Sequence, residues 1–213
     1  MHDSLWPDVV NVLDWMGTLV FALSGGLLGV KKEFDLFGVL FLSFVVAVAG
    51  GIARDVLIGA VPPAAITEVH YFVIAIFGGI LTFLWAGRVA RYQRLILLLD
   101  AVGLSLFAVL GTKKAIDHDI HLVMAAVMGT LTGVGGGMTR DVLAGDIPFV
   151  LRSGPGLYAI AALAGGAVVS AGHALGAGSS YAMLGGAAVC LFLRLMAIYR
   201  GWRVPTAVTR PAA

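Results

Sequence analysis

Long apolar stretches, interrupted at short intervals by charged or small residues, make up most of the chain. A run of about 20 apolar residues is long enough to cross a bilayer as a helix. Such runs predict seven spans, at residues 9–30, 37–59, 71–87, 95–112, 122–145, 157–175 and 181–199. The connections between them are short, so residues 1–213 read as a single transmembrane domain with nothing left over for a soluble one.

Composition agrees with the pattern. Hydrophobic residues are 60% of the chain and charged residues 12%, against roughly 45–50% and about 25% in soluble domains. The mean hydropathy is +0.98, and a soluble monomer has no place for that much apolar surface. Glycine supplies 29 of 213 residues, about twice the average share, which fits helices that approach closely or break. The lone cysteine, Cys190, excludes an intramolecular disulfide and reads as a small apolar residue of the last span. No nucleophile, metal or cofactor motif is apparent, so the chain reads as no enzyme, with no cofactor, no nucleic-acid partner and no metal beyond a transported ion.

Charge placement gives an orientation. In alternating connections, one side of the membrane collects Lys31, Lys32, Arg88, Arg91, Arg94, Arg152, Arg200, Arg203 and Arg210, while the other collects Lys113 and Lys114. The excess marks the cytoplasmic side and predicts an outside N-terminus and a cytoplasmic C-terminus.

The chain also repeats itself. Asp14 to Gly25 and Asp100 to Gly111 both read D-x-x-G-x-x-x-F-A-x-x-G, and Gly50 to Gly59 and Gly136 to Gly145 both read G-G-x-x-R-D-V-L-x-G. The offset is 100 − 14 = 86 and 140 − 54 = 86. Pairing Lys31-Lys32 with Lys113-Lys114 requires a local gap between these motifs. Tyr71 with Gly78-Gly79 matches Tyr158 with Gly165-Gly166. Each copy holds three spans, an odd number, so the second copy enters the membrane from the opposite face. The expected fold is an all-α membrane protein of two inverted three-helix repeats, at 9–87 and 95–175, plus a seventh helix at 181–199. Inverted repeats are typical of proteins that move solutes, with the path at the repeat interface.

Three sets of residues could carry chemistry. Gly50 and Gly51 in span 2, and Gly135, Gly136 and Gly137 in span 5, are expected to unwind or kink their helices, because glycine disfavours a helix interior by about 1 kcal/mol relative to alanine. Freed carbonyls in such a break can replace part of a cation's hydration shell. The same residues also suit plain helix packing, with Gly129, Gly133 and Gly137 forming a small-residue ridge. Asp14, Arg54, Asp55, Asp100, Arg140 and Asp141 are intramembrane charges and so candidates for a path or a gate. Neighbours on a helix point about 100° apart, so each arginine is expected to find partners on other helices, Arg54 and Arg140 bridging to Asp14 and Asp100. Four acids against two arginines leave a net-negative interior, 4 − 2 = 2, which favours cations. Lys31, Lys32, Lys113 and Lys114 are expected in solvated loops or against lipid headgroups at the two faces.

With these motifs the chain, from about Val9 to Arg200, resembles the trimeric intracellular cation (TRIC) channels in their prokaryotic branch, a group also described as a glycine-transporter membrane domain. The resemblance implies seven spans, a homotrimer in the prokaryotic cytoplasmic membrane, and a pore within each protomer permeable to K+ and other monovalent cations such as Na+. It places the path along the second and fifth helices, around Gly50-Gly51 and Gly135-Gly136-Gly137, with membrane lipids as the remaining partners. Span 2 reads Leu42-Ser-Phe-Val-Val46 where animal members carry Lys-Glu-Val, so phosphoinositide regulation does not carry over. Ala49 also stands where span 5 has Gly135. The rival reading is a secondary transporter of glycine or another small solute, since inverted repeats suit alternating access equally well.

Overall fold

The computed structural model describes residues 6–85, 93–152 and 157–202. Arg88, Arg91, Arg203 and Arg210, which contribute to the charge asymmetry, lie outside the described residues. Eight α-helices occur among the described residues: α1 (Trp6–Lys31), α2 (Leu36–Leu57), α3 (Ala64–Thr67), α4 (Val69–Leu84), α5 (Gln93–Asp117), α6 (Leu122–Leu143), α7 (Tyr158–Ala174) and α8 (Ser179–Arg200). A single 3-10 turn, Phe149–Leu151, precedes α7. Five helices, α1, α2, α5, α6 and α8, are long and apolar enough to cross a membrane. The other two long ones are shorter than the expected spans. At about 1.5 Å per residue, the 16 residues of α4 and 17 of α7 reach about 24–26 Å, against a hydrocarbon core of about 30 Å.

The final glycine of the G-G-x-x-R-D-V-L-x-G motif stops each helix. Gly59 and Gly145 take φ of 77° and 74°, a left-handed conformation that residues with a Cβ adopt only at a penalty. Around each, two bonds close a Schellman motif. Gly59 N donates to Val56 O (3.3 Å) and Ala60 N to Asp55 O (2.8 Å); Gly145 N donates to Val142 O (3.0 Å) and Asp146 N to Asp141 O (2.8 Å).

Glu33 and Asp119 also take left-handed φ, 60° and 59°, and they end α1 and α5 with the same bonding. Here 119 − 33 = 86, and the bounds of α2 and α6 give 122 − 36 = 86 and 143 − 57 = 86. The offset therefore runs through without a gap, and the expected match of Lys31-Lys32 to Lys113-Lys114 is wrong. Lys113 and Lys114 lie inside α5 about a turn before its end, not in a loop, whereas Lys31 closes α1.

Nor do the glycine runs break their helices. Both α2 and α6 are continuous α-helix through Gly50-Gly51 and Gly135-Gly136-Gly137. The physical reason is that tertiary packing outweighs the intrinsic preference of glycine. A Cβ on Gly50 would collide with the carbonyl oxygen of Thr132, and one on Gly136 would lie 2.6 Å from the carbonyl oxygen of Val46. Gly135 would meet the Cα of Gly50 at 2.8 Å. Because 136 − 50 and 132 − 46 are both 86, the first two contacts are one contact made twice, reciprocally, as in an isologous interface. The crossing is antiparallel, since residue 50 meets 132 and 46 meets 136. Beside it the matched rings of Phe21 and Phe107 stack with centroids 5.3 Å apart. Helices α1, α2 and α4 pack on one side of this seam, and α5 to α8 on the other.

Candidate functional site: two carboxylate–arginine clusters

About two turns beyond the crossing, each of α2 and α6 carries its Arg-Asp pair in the last turns. Because the helices are antiparallel, the two pairs lie at opposite ends of the seam. Contrary to expectation, each arginine does bind its own neighbour. Arg54 Nε donates to Asp55 Oδ1 (2.9 Å), with Nη2 2.8 Å from the same oxygen. Arg140 Nε donates to Asp141 Oδ1 (3.0 Å), with Nη2 at 2.9 Å. The 100° between Cβ directions is bridged by the long arginine stem, which curls back around the helix. The second carboxylate oxygen then ties down the chain that follows: Asp55 Oδ2 accepts from Ala64 N (3.1 Å), and Asp141 Oδ2 from Phe149 N (2.7 Å). Each pair thus holds the short helical turn that leads to α4 or α7.

The aspartates of α1 and α5 are held differently. Asp100 is 1% exposed. Its Oδ1 accepts from Arg140 Nη1 (2.8 Å) and from the Tyr158 hydroxyl (3.0 Å), and Arg140 Nη1 also donates to Ser24 Oγ across the seam (2.7 Å). The expected Arg140–Asp100 bridge is therefore present. Asp14, half-buried, accepts a short hydrogen bond from the matched Tyr71 hydroxyl. The expected Arg54–Asp14 bridge is not formed, and Asp14 has no ion-pair partner among the described residues. Arg54 turns to Asp55, which also binds Lys114 Nζ at 2.8 Å.

Between these groups lies a cavity of about 20 Å³, lined by Asp14, Gly51, Arg54, Asp55, Tyr71 and Phe107 among others. That is room for about one water. A Cβ on Gly51 would find only Arg54 Nη2, at 3.8 Å, whereas one on the matched Gly137 would run into the Tyr158 hydroxyl and, at 2.9 Å, Asp100 Oδ1. One cluster is open and its counterpart is filled.

Sequence reasoning missed Arg194. It is the one charge inside α8 before the closing Arg200, in Leu191-Phe-Leu-Arg-Leu-Met196, and a lone charge inside a span is the signal that should have found it. Arg194 is 0% exposed, with Nη2 3.7 Å from Asp100 Oδ2. Tyr71 and Tyr158 appeared only as landmarks of the repeat, although both bind the aspartates. Counting Arg194 and Lys114 corrects the charge balance. Asp14, Asp55, Asp100 and Asp141 now face Arg54, Arg140, Arg194 and Lys114, and 4 − 4 = 0, so the interior is formally neutral and not net negative.

Lys113 and Lys32 bind carboxylates as well. Lys113 pairs with Asp117 one turn along α5. Lys32 Nζ lies 2.7 Å from Asp146 Oδ1 and holds that carboxyl below the usual carboxylate range. Its contribution to stability is complete above the ordinary carboxylate pKa and is lost as pH falls through the lowered one. Exposure keeps it small.

A family model described as glycine transporter matches residues 11–87 and 97–174. A UPF0126 membrane protein of Deinococcus radiodurans is 43% identical over 91% of this chain and 89% of its own length. The UPF0126 inner membrane protein YadS of Escherichia coli K12 is 39% identical, over 93% and 96%. The crystal structure of the TRIC trimeric intracellular cation channel orthologue from Rhodobacter sphaeroides is similar at a TM-score of 0.87, with 36% identity over 91% of this chain and 99% of that one.

Proposed function

The chain belongs to the family that joins the proteins described as glycine transporters to the prokaryotic TRIC channels, and from that membership we propose that it is a passive, potassium-permeable cation channel with one pore in each protomer of a homotrimer. The fold in this reading comprises seven spans: two inverted repeats, 9–87 and 95–175, and the extra helix 181–199. The N-terminus is outside and the C-terminus cytoplasmic, and the protein sits in the inner membrane among lipids, as the name of the Escherichia coli relative suggests.

The observation that carries the channel reading is the water-sized cavity against Asp14, whose carboxylate has no ion-pair partner among the described residues. A neutral interior gives no bulk preference for cations, so selectivity rests on this local carboxylate and on the Tyr71 oxygen beside it. The path follows the α2–α6 seam, past the stacked Phe21 and Phe107, from the Asp14–Asp55 cluster to the Asp100–Asp141 cluster. The cavity has room for a water-sized particle and not for an amino acid, which favours ion passage over carriage of glycine. The Arg-Asp pairs act in this scheme as latches that fix the turns at the two mouths.

Purified protein in a planar bilayer under a KCl gradient tests the proposal. Discrete single-channel currents that reverse near the potassium potential are expected. No current, together with saturable glycine counterflow in liposomes, would establish the carrier instead. Within the channel reading, Asp14→Asn is expected to lower conductance several-fold and to move the reversal potential toward that of chloride. Neutralising Asp14 and Asp100 together lowers cation selectivity further. An unmoved reversal potential for Asp14→Asn would confine Asp14 to a structural role.

A further inference from the structure

Resting on the channel reading, we propose that Arg194 is a tethered cation that occupies the cation position of the Asp100 half-site, keeps permeant ions out of it, and makes the two halves of the pore electrically unequal.

The two half-sites start from the same chemistry. Each has an aspartate that accepts a hydrogen bond from a matched tyrosine hydroxyl, Asp14 from Tyr71 and Asp100 from Tyr158. They differ in what faces the carboxylate. At Asp14 it is the small cavity. At Asp100 it is the guanidinium of Arg194, delivered by α8, the helix that neither copy of the repeat contains. The asymmetry therefore has two sources: the Arg140–Asp100 bridge, which the matched Arg54 and Asp14 do not form, and the guanidinium that the added helix brings.

The geometry is not that of a structural salt bridge. Buried arginine–carboxylate pairs commonly close as hydrogen bonds of about 2.7–2.9 Å, and Arg140 reaches Asp100 at 2.8 Å. Arg194 Nη2 stays 3.7 Å from Asp100 Oδ2, and Nε, Nη1 and Nη2 find no acceptor among the described residues. The group is instead clamped by aromatic faces, its carbon 4.6 Å from the Tyr158 centroid and 5.3 Å from that of Phe149. Cation–π contact holds a charge in place without using its hydrogen-bond donors. Asp100 Oδ1 is saturated by Arg140 and Tyr158, so Oδ2, the oxygen a passing ion would use, is the one that Arg194 covers. Arg194 thus stands over a carboxylate oxygen as an ion would, and its like charge repels any other cation that approaches.

A fixed positive charge near one end of a pore passes current more readily in one direction. Single-channel recordings in symmetric KCl are expected to show a rectifying current–voltage curve for the wild type. Arg194→Gln should become more nearly linear, with conductance raised several-fold. Arg194→Lys, which keeps the charge, should remain close to wild type in both measures. A purely structural Arg194 predicts otherwise: channels of Arg194→Gln with unchanged rectification and conductance would overturn the inference while leaving the channel reading intact. The wild-type curve is a second check that needs no variant, because a linear one overturns the inference even if Arg194→Gln fails to fold. Absence of any wild-type potassium current overturns the channel reading and the inference with it.

Discussion

Arg140→Met is expected to destabilise the protein by about 3–5 kcal/mol, the usual loss when one partner of a buried ion pair is removed. Arg140 is 3% exposed and is the shared donor to Asp100, Asp141 and Ser24. Methionine fills much of the stem's volume but leaves buried Asp141 without its cation and Asp100 with Arg194 alone, at 3.7 Å. The matched Arg54→Met is expected to cost less, because Asp55 keeps Lys114 at 2.8 Å and borders the small cavity. Thermal unfolding in detergent, read for both variants against wild type, checks the order. Equal losses at the two positions would contradict the asymmetry between the clusters. Arg140→Met combined with Asp141→Asn should recover part of the loss, since one stranded charge is then gone.

Adjacent glycines in α2 are expected to respond to alanine with opposite signs. Gly50→Ala drives a methyl group into the carbonyl oxygen of Thr132, a backbone atom inside a packed helix that cannot swing aside. Overpacking of this kind costs about 1–3 kcal/mol and forces α2 and α6 apart. Gly51→Ala meets only Arg54 Nη2 at 3.8 Å, so the helix preference of alanine is free to act and the protein gains up to about 1 kcal/mol. The same unfolding assay decides: a stabilised Gly50→Ala would mean that the α2–α6 crossing is looser than described. Gly136→Ala should follow Gly50→Ala, because the Val46 carbonyl stands where the Thr132 carbonyl does.

Much of this architecture can be read from the chain. The spacing of apolar runs locates every long helix to within a few residues, except that α5 continues through Lys113 and Lys114 to Asp117. The duplication is legible from the two motifs, and so is the Arg140–Asp100 bridge, since a buried acid and a buried base in one repeat need each other. What is not legible has physical causes. A run of glycines looks like a break because propensity is local, whereas the Thr132 and Val46 carbonyls that reward it are far away in sequence. The lysine pairs look equivalent by identity, yet the left-handed residues Glu33 and Asp119, which fix the register, carry no marker that sets them apart. Pairing of an arginine with its own neighbour is invisible to reasoning from Cβ directions alone. Arg194 escapes because a single charge barely changes the apolar character of a 22-residue helix.

The reciprocal seating of Gly50 on Thr132 and Gly136 on Val46 has a historical meaning. A surface that fits its own copy about a two-fold axis needs no second gene: one three-helix chain, inserted in both directions, could have formed the same seam as a homodimer. In such an ancestor every substitution struck both halves at once, and a charge placed against one aspartate was placed against the other. A single chain that holds both halves is free of that constraint. Only within one chain can a single added helix bring Arg194 to Asp100 and leave Asp14 without a matching charge.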